Sequence, residues 1–529
     1  MQAPRMARVS LLYRSALGTV YLAAFLSLAV QIVDLAGARG LLPFAAYLDQ
    51  ARAQIASWPA RLHAVPTLLW IDPGDAALRG WPIAGAALAV VMIAGVGGRI
   101  VPLLLWVLYL SSVTSGRDFF HYQWDNLLLE AGFLAIVLPG RGSLIDLVRG
   151  RPLPEPAAPV VFLHRWLLFR LLFESGISKL IFGRDDWFRL NGMSFYYETS
   201  PLPSWGGWLM QQWPGWFHRL SSGYMFLVEL PLALFVFLPR RFRLILFACH
   251  LPFQVSIALT SNYGFFNLLA IALSLMLLED GDLRMVRARA AGMLRRWRRP
   301  GGPASTPARA DVAAPPTVLS KAPPTVPSAT RAAAPRCRRV AAWLSAAVLV
   351  TLSCLEGAAY FRRAPGLLRV GAPLRSLYAP LRSINVYHLF PGIVRERMVA
   401  EIEASSDGRD WRPYRLRYAP GDPRRPPPTT WLHNPRFPFH YSFLTLGRGG
   451  RDREYLVNLS RRLCCDPGAL AGLFADDPWR SAGPAALRTR IWRYRFSTRN
   501  DLRRDGVYWL REPAGPPTPP FSCSCPPGG

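Results

Sequence analysis

Long apolar stretches separated by short polar segments dominate the first 280 residues of the chain. A membrane-spanning helix needs about 20 mostly apolar residues. The pattern predicts a mainly α-helical polytopic membrane bundle over residues 1–280, with about eight or nine transmembrane helices in the whole chain. The predicted spans, some of them short or interrupted, are near 15–35, 82–98, 100–115, 126–140, 160–182, 222–239, 242–260, 264–279 and 339–360.

The connecting segments predict the orientation. If the N-terminus is cytoplasmic, every even-numbered gap between spans lies inside, and each of these gaps is rich in arginine, as the positive-inside rule requires. The inside residues include Arg99, Arg141, Arg149, Arg151, Arg240, Arg241, Arg243, Arg284, Arg287 and Arg289. We interpret the first span as a retained anchor. A signal peptide is the alternative, because Ala36-Gly37-Ala38 resembles a cleavage site.

Beyond residue 280 the pattern changes. Residues 281–338 are basic and rich in proline and alanine, which predicts a cytoplasmic linker, and 339–360 is the last span. Residues from Val394 to Ala404 then alternate, a turn follows at 406–409, and Tyr414, Leu416 and Tyr418 continue the alternation, which predicts a β-hairpin. Alternation returns at 492–496. The sequence therefore predicts a β-rich extracytoplasmic domain over 361–529.

Composition supports the membrane interpretation. Of 529 residues, 51% are apolar and 18% are charged, whereas a soluble domain is about one quarter charged. A single soluble enzyme domain is therefore excluded. The 62 basic and 33 acidic side chains give a net charge of +29. No nucleic-acid-binding motif accompanies this charge, so the expected partner is the lipid bilayer and not a nucleic acid.

Common catalytic and metal-binding motifs are absent from the sequence, which contains no GxSxG, HExxH, Walker A or CxxC pair. We therefore predict no cofactor and no metal site. Four cysteines fall in the predicted outer domain: Cys464, Cys465, Cys523 and Cys525. Adjacent cysteines rarely bond to each other, so either two bridges join the first two cysteines to the last two, or all four remain free thiols.

Ionisable residues in the predicted fifth span are the strongest candidates for chemistry. Arg170 and Glu174 are i,i+4 neighbours, which favours a structural ion pair. Lys179 is one of only two lysines, the other 60 of the 62 basic residues being arginine. A desolvated lysine can lose its proton and act as a base, and a lysine that reaches the interface is the equal alternative. Glu130 and Glu174 are its candidate catalytic partners.

Further polar residues are expected to face the interior of the bundle. Asp125 or Asn126 can cap the helix that starts there. The predicted polar residues of the bundle are Asp125, Asn126, Arg170, Glu229, Gln254, Asn262 and Asn267.

The predicted outer loop at 183–221 is rich in aromatic residues. Such residues form either an interfacial belt or a recognition surface, and the sequence leaves both open. The candidate partner-binding residues are Trp187, Tyr196, Tyr197, Glu198, Thr199, Pro201, Pro203, Trp216 and His218.

Several motifs resemble one known family. The runs at 124–130, 175–180 and 196–203, and Ile384-Asn385-Val386-Tyr387-His388-Leu389-Phe390 in the tail, are similar to motifs of the lipase maturation factor family. The resemblance is colinear from about residue 10 to 512. It departs at the long linker and at 437–441, where Phe-Pro-Phe-His-Tyr replaces an expected tryptophan-rich stretch.

The resemblance implies an endoplasmic reticulum membrane protein that helps dimeric secreted lipases reach their active fold. The composition suggests a bacterial member, for which the corresponding place is the cytoplasmic membrane. We therefore expect a non-catalytic maturation factor with a secreted, lipase-like client; the oligomeric state is left open. The alternative is a membrane enzyme that acts on a lipid or quinone-like substrate with Lys179 as base. A fainter similarity to vitamin K-dependent carboxylases, whose corresponding lysine is catalytic, suggests this alternative.

Overall fold

The computed structural model describes residues 5–140, 142–297, 336–362, 371–446, 453–479 and 483–525, together with residues 366 and 369. Helices account for most of the chain up to residue 361, and a smaller region containing sheets follows. The α-helices are α1 (Ala7–Ala29), α2 (Ile32–Ala36), α3 (Phe44–Gln54), α4 (Trp58–Ala64), α5 (Asp75–Ile93), α6 (Ile100–Ser115), α7 (Gln123–Ile136), α8 (Leu144–Val148), α9 (Ala158–Phe182), α10 (Arg184–Phe188), α11 (Gly192–Thr199), α12 (Trp205–Gln211), α13 (Gly215–Glu229), α14 (Arg240–Thr260), α15 (Phe266–Ser274), α16 (Asp280–Trp297), α17 (Arg336–Phe361), α18 (Ala372–Tyr378), α19 (Arg436–Tyr441), α20 (Arg453–Cys465) and α21 (Arg499–Asp505).

Within the described residues, five helices are long and apolar enough to cross a membrane: α1, α5, α13 with its continuation to Phe237, α14 and α17. Ile100–Ser115 and Phe266–Leu277 are shorter apolar helices. The predicted count of eight or nine spans is not confirmed. For example, α7 has 14 residues, and the 25-residue α9 contains several charged side chains.

Helix α1 lies in the middle of the helical region. Most of its side chains are buried, including Tyr13, Tyr21 and Phe25, and it packs most extensively on α5. Helix α17 lies at the edge, mainly against α9. Helix α16 occupies the start of the segment 281–338, for which the role of a cytoplasmic linker stays a prediction. Residues 298–335 lie outside the described part of the chain.

The C-terminal region contains two small antiparallel sheets. The larger has the order β2 (Arg412–Pro413), β1 (Arg397–Ser405), β5 (Ala486–Phe496) and β6 (Trp509–Pro513), with β7 (Phe521–Ser522) also pairing with β5. The smaller pairs β3 (Arg415–Leu416) with β4 (Phe474–Asp476).

Strand β1 pairs with β5 over its whole length, from Arg397 opposite Tyr494 to Ser405 opposite Ala486. The hairpin predicted after β1 is present but short, since only Glu403 and Ala404 pair with β2 and Arg415 and Leu416 pair with β4. The description "β-rich" is only partly correct, since helices α19, α20 and α21 belong to the same region.

Candidate functional site at the junction of the helices and the C-terminal region

Three buried ionisable side chains form one cluster between α7 and α9. The Nη1 of Arg170 lies 2.6 Å from Oε1 of Glu130, and its Nε lies 3.3 Å from Oε1 of Glu174. These side chains are at most 10% exposed. The predicted pair of Arg170 and Glu174 is therefore present, but Glu130 joins it. Two carboxylates and one guanidinium leave an excess of one formal negative charge.

The segment 384–390 supplies the hydrogen-bond donors that this cluster needs. The backbone N–H of Tyr387 donates to Glu174 Oε2 at 2.7 Å, and its hydroxyl donates to Glu130 Oε2 at 2.8 Å. The backbone N–H of Asn385 also donates to Glu130, at 3.1 Å, and its carbonyl accepts from Arg170. Hydrogen bonds to a charged group each contribute roughly 1.5–3 kcal/mol. The C-terminal region thus completes the polar interior of the helices.

A second buried ion pair joins α7 to α19. Both terminal nitrogens of Arg436 donate to Asp125, at 2.5 and 2.7 Å, and the Tyr109 hydroxyl donates to the same carboxylate at 2.6 Å. The Arg436 guanidinium also lies over the Phe120 ring, 4.2 Å from its centroid. The prediction that Asp125 or Asn126 caps the helix is wrong, because α7 begins at Gln123 and both residues lie within it.

Lys179 is buried and paired with a carboxylate that the sequence did not assign to it. Its Nζ donates to both carboxylate oxygens of Glu229, at 2.8 and 2.9 Å, and to the backbone oxygen of Ser175 at 3.2 Å. All three ammonium protons are therefore engaged. Both side chains are at most 7% exposed, so the Lys179 ammonium group lies inside the protein and not at its surface. Its carboxylate partner is neither Glu130 nor Glu174.

The predicted asparagines also serve the junction. Asn262 donates to the backbone oxygen of Pro428 at 2.8 Å and accepts from the N–H of Thr430 at 2.9 Å. Asn126 accepts from Asn385 through its backbone oxygen. Gln254 and Asn267 instead pair with each other inside the helical region, at 2.9 Å.

Close backbone approach is built into this junction at Gly264. Its φ is +58°, and a Cβ added there would lie 3.0 Å from Cβ of Asn434 and 3.2 Å from the backbone oxygen of His433. A larger residue would be strained in this conformation and would press against the C-terminal region.

Most of the candidate partner-binding residues lie in the interior. Trp187, Tyr196, Tyr197, Pro201, Pro203 and His218 are buried, Glu198 and Thr199 are half-buried, and Trp216 is exposed. The buried side chains cannot form a partner surface in this conformation. Contact with a partner stays a prediction for Trp216, which is exposed together with Trp205 and Trp213.

The 183–221 segment instead forms another contact with the C-terminal region. Glu198 accepts from the N–H of Phe496 at 2.6 Å, and the indole of Trp208 donates to the backbone oxygen of Ser497 at 3.1 Å. Burial raises the pKa of Glu198, against the opposing effect of this N–H and of two nearby arginines. The aromatic segment therefore packs against the C-terminal region of the same chain.

Some residues of the junction were not predicted. The sequence contains so many arginines that nothing in it distinguishes Arg436 from the others. The motif at 384–390 was noted as a family feature, but no role could be given to Asn385 or Tyr387.

Two disulfides hold the end of the C-terminal region. Cys464 is bonded to Cys523 and Cys465 to Cys525, which are the pairs between the first two and the last two cysteines. Among the described residues, no group of histidine, cysteine and acidic side chains could hold a metal ion.

Two family models match the helical region and the C-terminal region separately. Residues 8–285 match the model of the lipase maturation factor transmembrane domain, and residues 383–519 match that of the lipase maturation factor C-terminal domain. The chain belongs to the lipase maturation factor family. The resemblance noted in the sequence is thus confirmed, and with its apolar helices the protein is a multi-pass membrane protein.

Curated members of the family match over different lengths. Lipase maturation factor 1 of Bos taurus is 30% identical over 528 residues, which cover 96% of this chain and 88% of that protein. Lipase maturation factor 2 of Mus musculus is 40% identical over 285 residues, covering 51% of this chain and 40% of that protein. No solved structure matches the chain significantly.

Proposed function

We propose that this protein is a membrane-embedded maturation factor that helps a secreted, lipase-like client reach its active fold. The observation that carries the proposal is the match to bovine lipase maturation factor 1 over 96% of the chain, which includes both domains. The charged contacts between the domains support a joint action, since the C-terminal region is held on the helices by two buried ionic clusters.

We further infer that the helices anchor the protein while residues 361–529 face the outside. The N-terminus and residues 281–338 are then cytoplasmic, in the cytoplasmic membrane of a bacterium or the endoplasmic reticulum membrane of a eukaryote. The arginine-rich connections support this orientation. The two disulfides support it as well, because disulfides persist in oxidising compartments.

The alternative function, a membrane enzyme with Lys179 as base, is not supported. The relatives named above are maturation factors. The Lys179 ammonium group donates hydrogen bonds to both carboxylate oxygens of Glu229 and to the backbone oxygen of Ser175, as expected of a residue that stabilises the helices.

Deletion of the gene in its source organism tests the function. We expect the activity of one or more secreted lipases to fall while their transcripts stay unchanged, and the wild-type gene to restore the activity. Normal activity of every secreted lipase, with an otherwise unchanged secreted proteome, would contradict the proposal. An altered lipid or quinone profile with normal lipases would favour the enzyme.

Epitope tags test the orientation. A tag at Ser305, in the predicted linker, should be protected from protease added outside. A tag at Gly515, in an exposed loop between β6 and β7, should be accessible. If both tags lie on the same side, an odd number of crossings between them is excluded and the proposed topology is wrong.

A further inference from the structure

A cavity of about 390 Å³ lies beside the Lys179–Glu229 pair. Helices α9, α11, α13 and α14 contribute to its wall, and Leu389 and Phe390 of the C-terminal region close one side. Its volume is at the lower end of the range of about 300–1,000 Å³ that is typical of small-molecule sites. The cavity is therefore large enough for a ligand.

The wall of the cavity is mostly apolar. Its polar side chains are largely engaged by protein atoms: the Tyr224 hydroxyl, for example, donates to the Cys249 backbone oxygen at 2.6 Å, and the Ser221 hydroxyl donates to the Phe217 backbone oxygen at 2.9 Å. A buried water needs two to four polar partners, so a wall of this kind cannot order enough water to fill the space. The lining favours an occupant with a large apolar body. The apolar side chains of the wall include Met193, Met210, Met225, Phe253, Phe266 and Phe390.

The charges of the wall cancel each other. Among the described residues that line the cavity, only Lys179 and Glu229 belong to the acidic or basic types, and they pair with each other. An anionic ligand would approach the Glu229 carboxylate and a cationic ligand would approach the Lys179 ammonium. Both would give up hydration without gaining a free counter-charge. The cavity therefore suits an uncharged ligand.

Two lining side chains can still bind a polar head. Gln254 is buried, and its Oε1 accepts from Asn267, whereas its Nε2 has no hydrogen-bond partner among the described residues. Glu229 accepts from Lys179 through both oxygens, and a carboxylate has further lone pairs for a hydroxyl donor. Together these groups can pair with an ester carbonyl and with a hydroxyl group.

We propose that this cavity binds an uncharged single-chain lipid of the monoacylglycerol class, with its hydroxyl-bearing head at Glu229 and Gln254. The bilayer is the source, because α13 with its continuation to Phe237, and α14, are both long and apolar enough to cross it. Their outward side chains Leu227 and Leu259 are 45% and 57% exposed. The inference does not depend on a lipase client.

Photolabelling of the purified full-length protein in detergent tests the proposal. The probes are three compounds with the same diazirine–alkyne acyl chain: a monoacylglycerol, the free fatty acid and a trimethylammonium lipid. We expect the monoacylglycerol to label peptides of α13 and α14 that line the cavity about tenfold more than either charged probe, which corresponds to about 1.4 kcal/mol. Equal labelling by the three probes, or labelling confined to peptides outside the cavity wall, would overturn the proposal.

A pair of variants on α13 provides the control. Met225→Trp places an indole in the cavity and should lower monoacylglycerol labelling about tenfold, whereas Leu227→Trp, on the exposed face of the same helix, should not. Equal labelling of the two variants would contradict the proposal. If Met225→Trp does not elute as a monodisperse protein, Met210→Trp on α12 makes the same test. The difference in labelling of the wild-type protein between the uncharged probe and the two charged probes tests the proposal independently of both variants.

Discussion

Replacement of Arg436 by methionine tests whether the buried ion pair holds the C-terminal region on the helices. Methionine keeps an unbranched apolar stem but removes the guanidinium that binds Asp125 through two hydrogen bonds. The Asp125 side chain is completely buried, so its carboxylate would lose its counter-charge without gaining water. Among the described residues, only the Tyr109 hydroxyl would still donate to it.

The structure sets the size of the effect. Removing one member of a buried ion pair typically costs about 3–5 kcal/mol. If this cost acts on the contact between α7 and α19, the population of molecules with an open junction rises by about 100-fold to about 5,000-fold. Replacing both members by apolar residues is often neutral, so Asp125→Leu together with Arg436→Met should recover most of the loss.

Limited trypsin digestion of the membrane-embedded protein measures this opening. When the junction opens and closes faster than trypsin cuts, the cleavage rate follows the population of the open form. Arg425→Met is the matched control, because Arg425 is 69% exposed in its pair with Asp422 and such a pair contributes about 0–1 kcal/mol. If Arg436→Met is cut no faster than Arg425→Met, or if the double variant is no more resistant than Arg436→Met, the assigned role of the pair is refuted.

Three further predictions concern the lysine, the disulfides and a histidine at the junction. Lys179→Arg keeps the positive charge beside Glu229 and should restore lipase activity in a deletion strain. Lys179→Met leaves the Glu229 carboxylate without a counter-charge, at a cost of about 3–5 kcal/mol, and should lower the abundance of the protein in the membrane, measured by blot. Full function of both variants would contradict the pairing role. The two disulfides close nearly the same loop, of 59 and 60 residues. Removal of one disulfide by serine substitution should therefore change the free energy of unfolding, measured by thermal unfolding, only little, whereas removal of both should lower it by about 4 kcal/mol. Burial, and then the Arg436 guanidinium, lowers the pKa of His433 to about 4 from about 6.5. The unfolded chain then binds the proton more readily than the folded chain, so the folded state loses stability as the pH drops from about 6.5 to about 4. Resistance to pepsin-like proteases should therefore fall over this pH range, and His433→Gln should reduce that fall. An unchanged pH profile in the variant would refute the assignment.

Apolar stretches in the sequence predicted most of the long helices, since a run of 16–25 apolar residues has few other stable states in a membrane. The predicted 100–115 and 160–182 correspond to α6 and α9. Helix α20 was missed although its signal was present: Tyr455, Leu459 and Leu463 recur every four residues and are buried. Short helices such as α19 have no such period and depend on tertiary packing.

The site was predictable only where its members are close in sequence. Arg170 and Glu174 share one face of a helix, so their spacing predicts the pair. Glu229 lies 50 residues from Lys179 and Arg436 lies 311 residues from Asp125. No periodicity relates such positions, because the packing of separate helices brings them together.

The segment 384–390, which completes the cluster of Arg170 and its two carboxylates, is synthesised long after the helices that carry this cluster. Tyr387 is separated from Glu174 by 213 residues, which a ribosome adds in about 10–40 s at about 5–20 residues per second. During this delay α7 and α9 exist without the N–H groups that their carboxylates need. Residues 384–390 therefore complete a polar cluster whose charged members were synthesised much earlier.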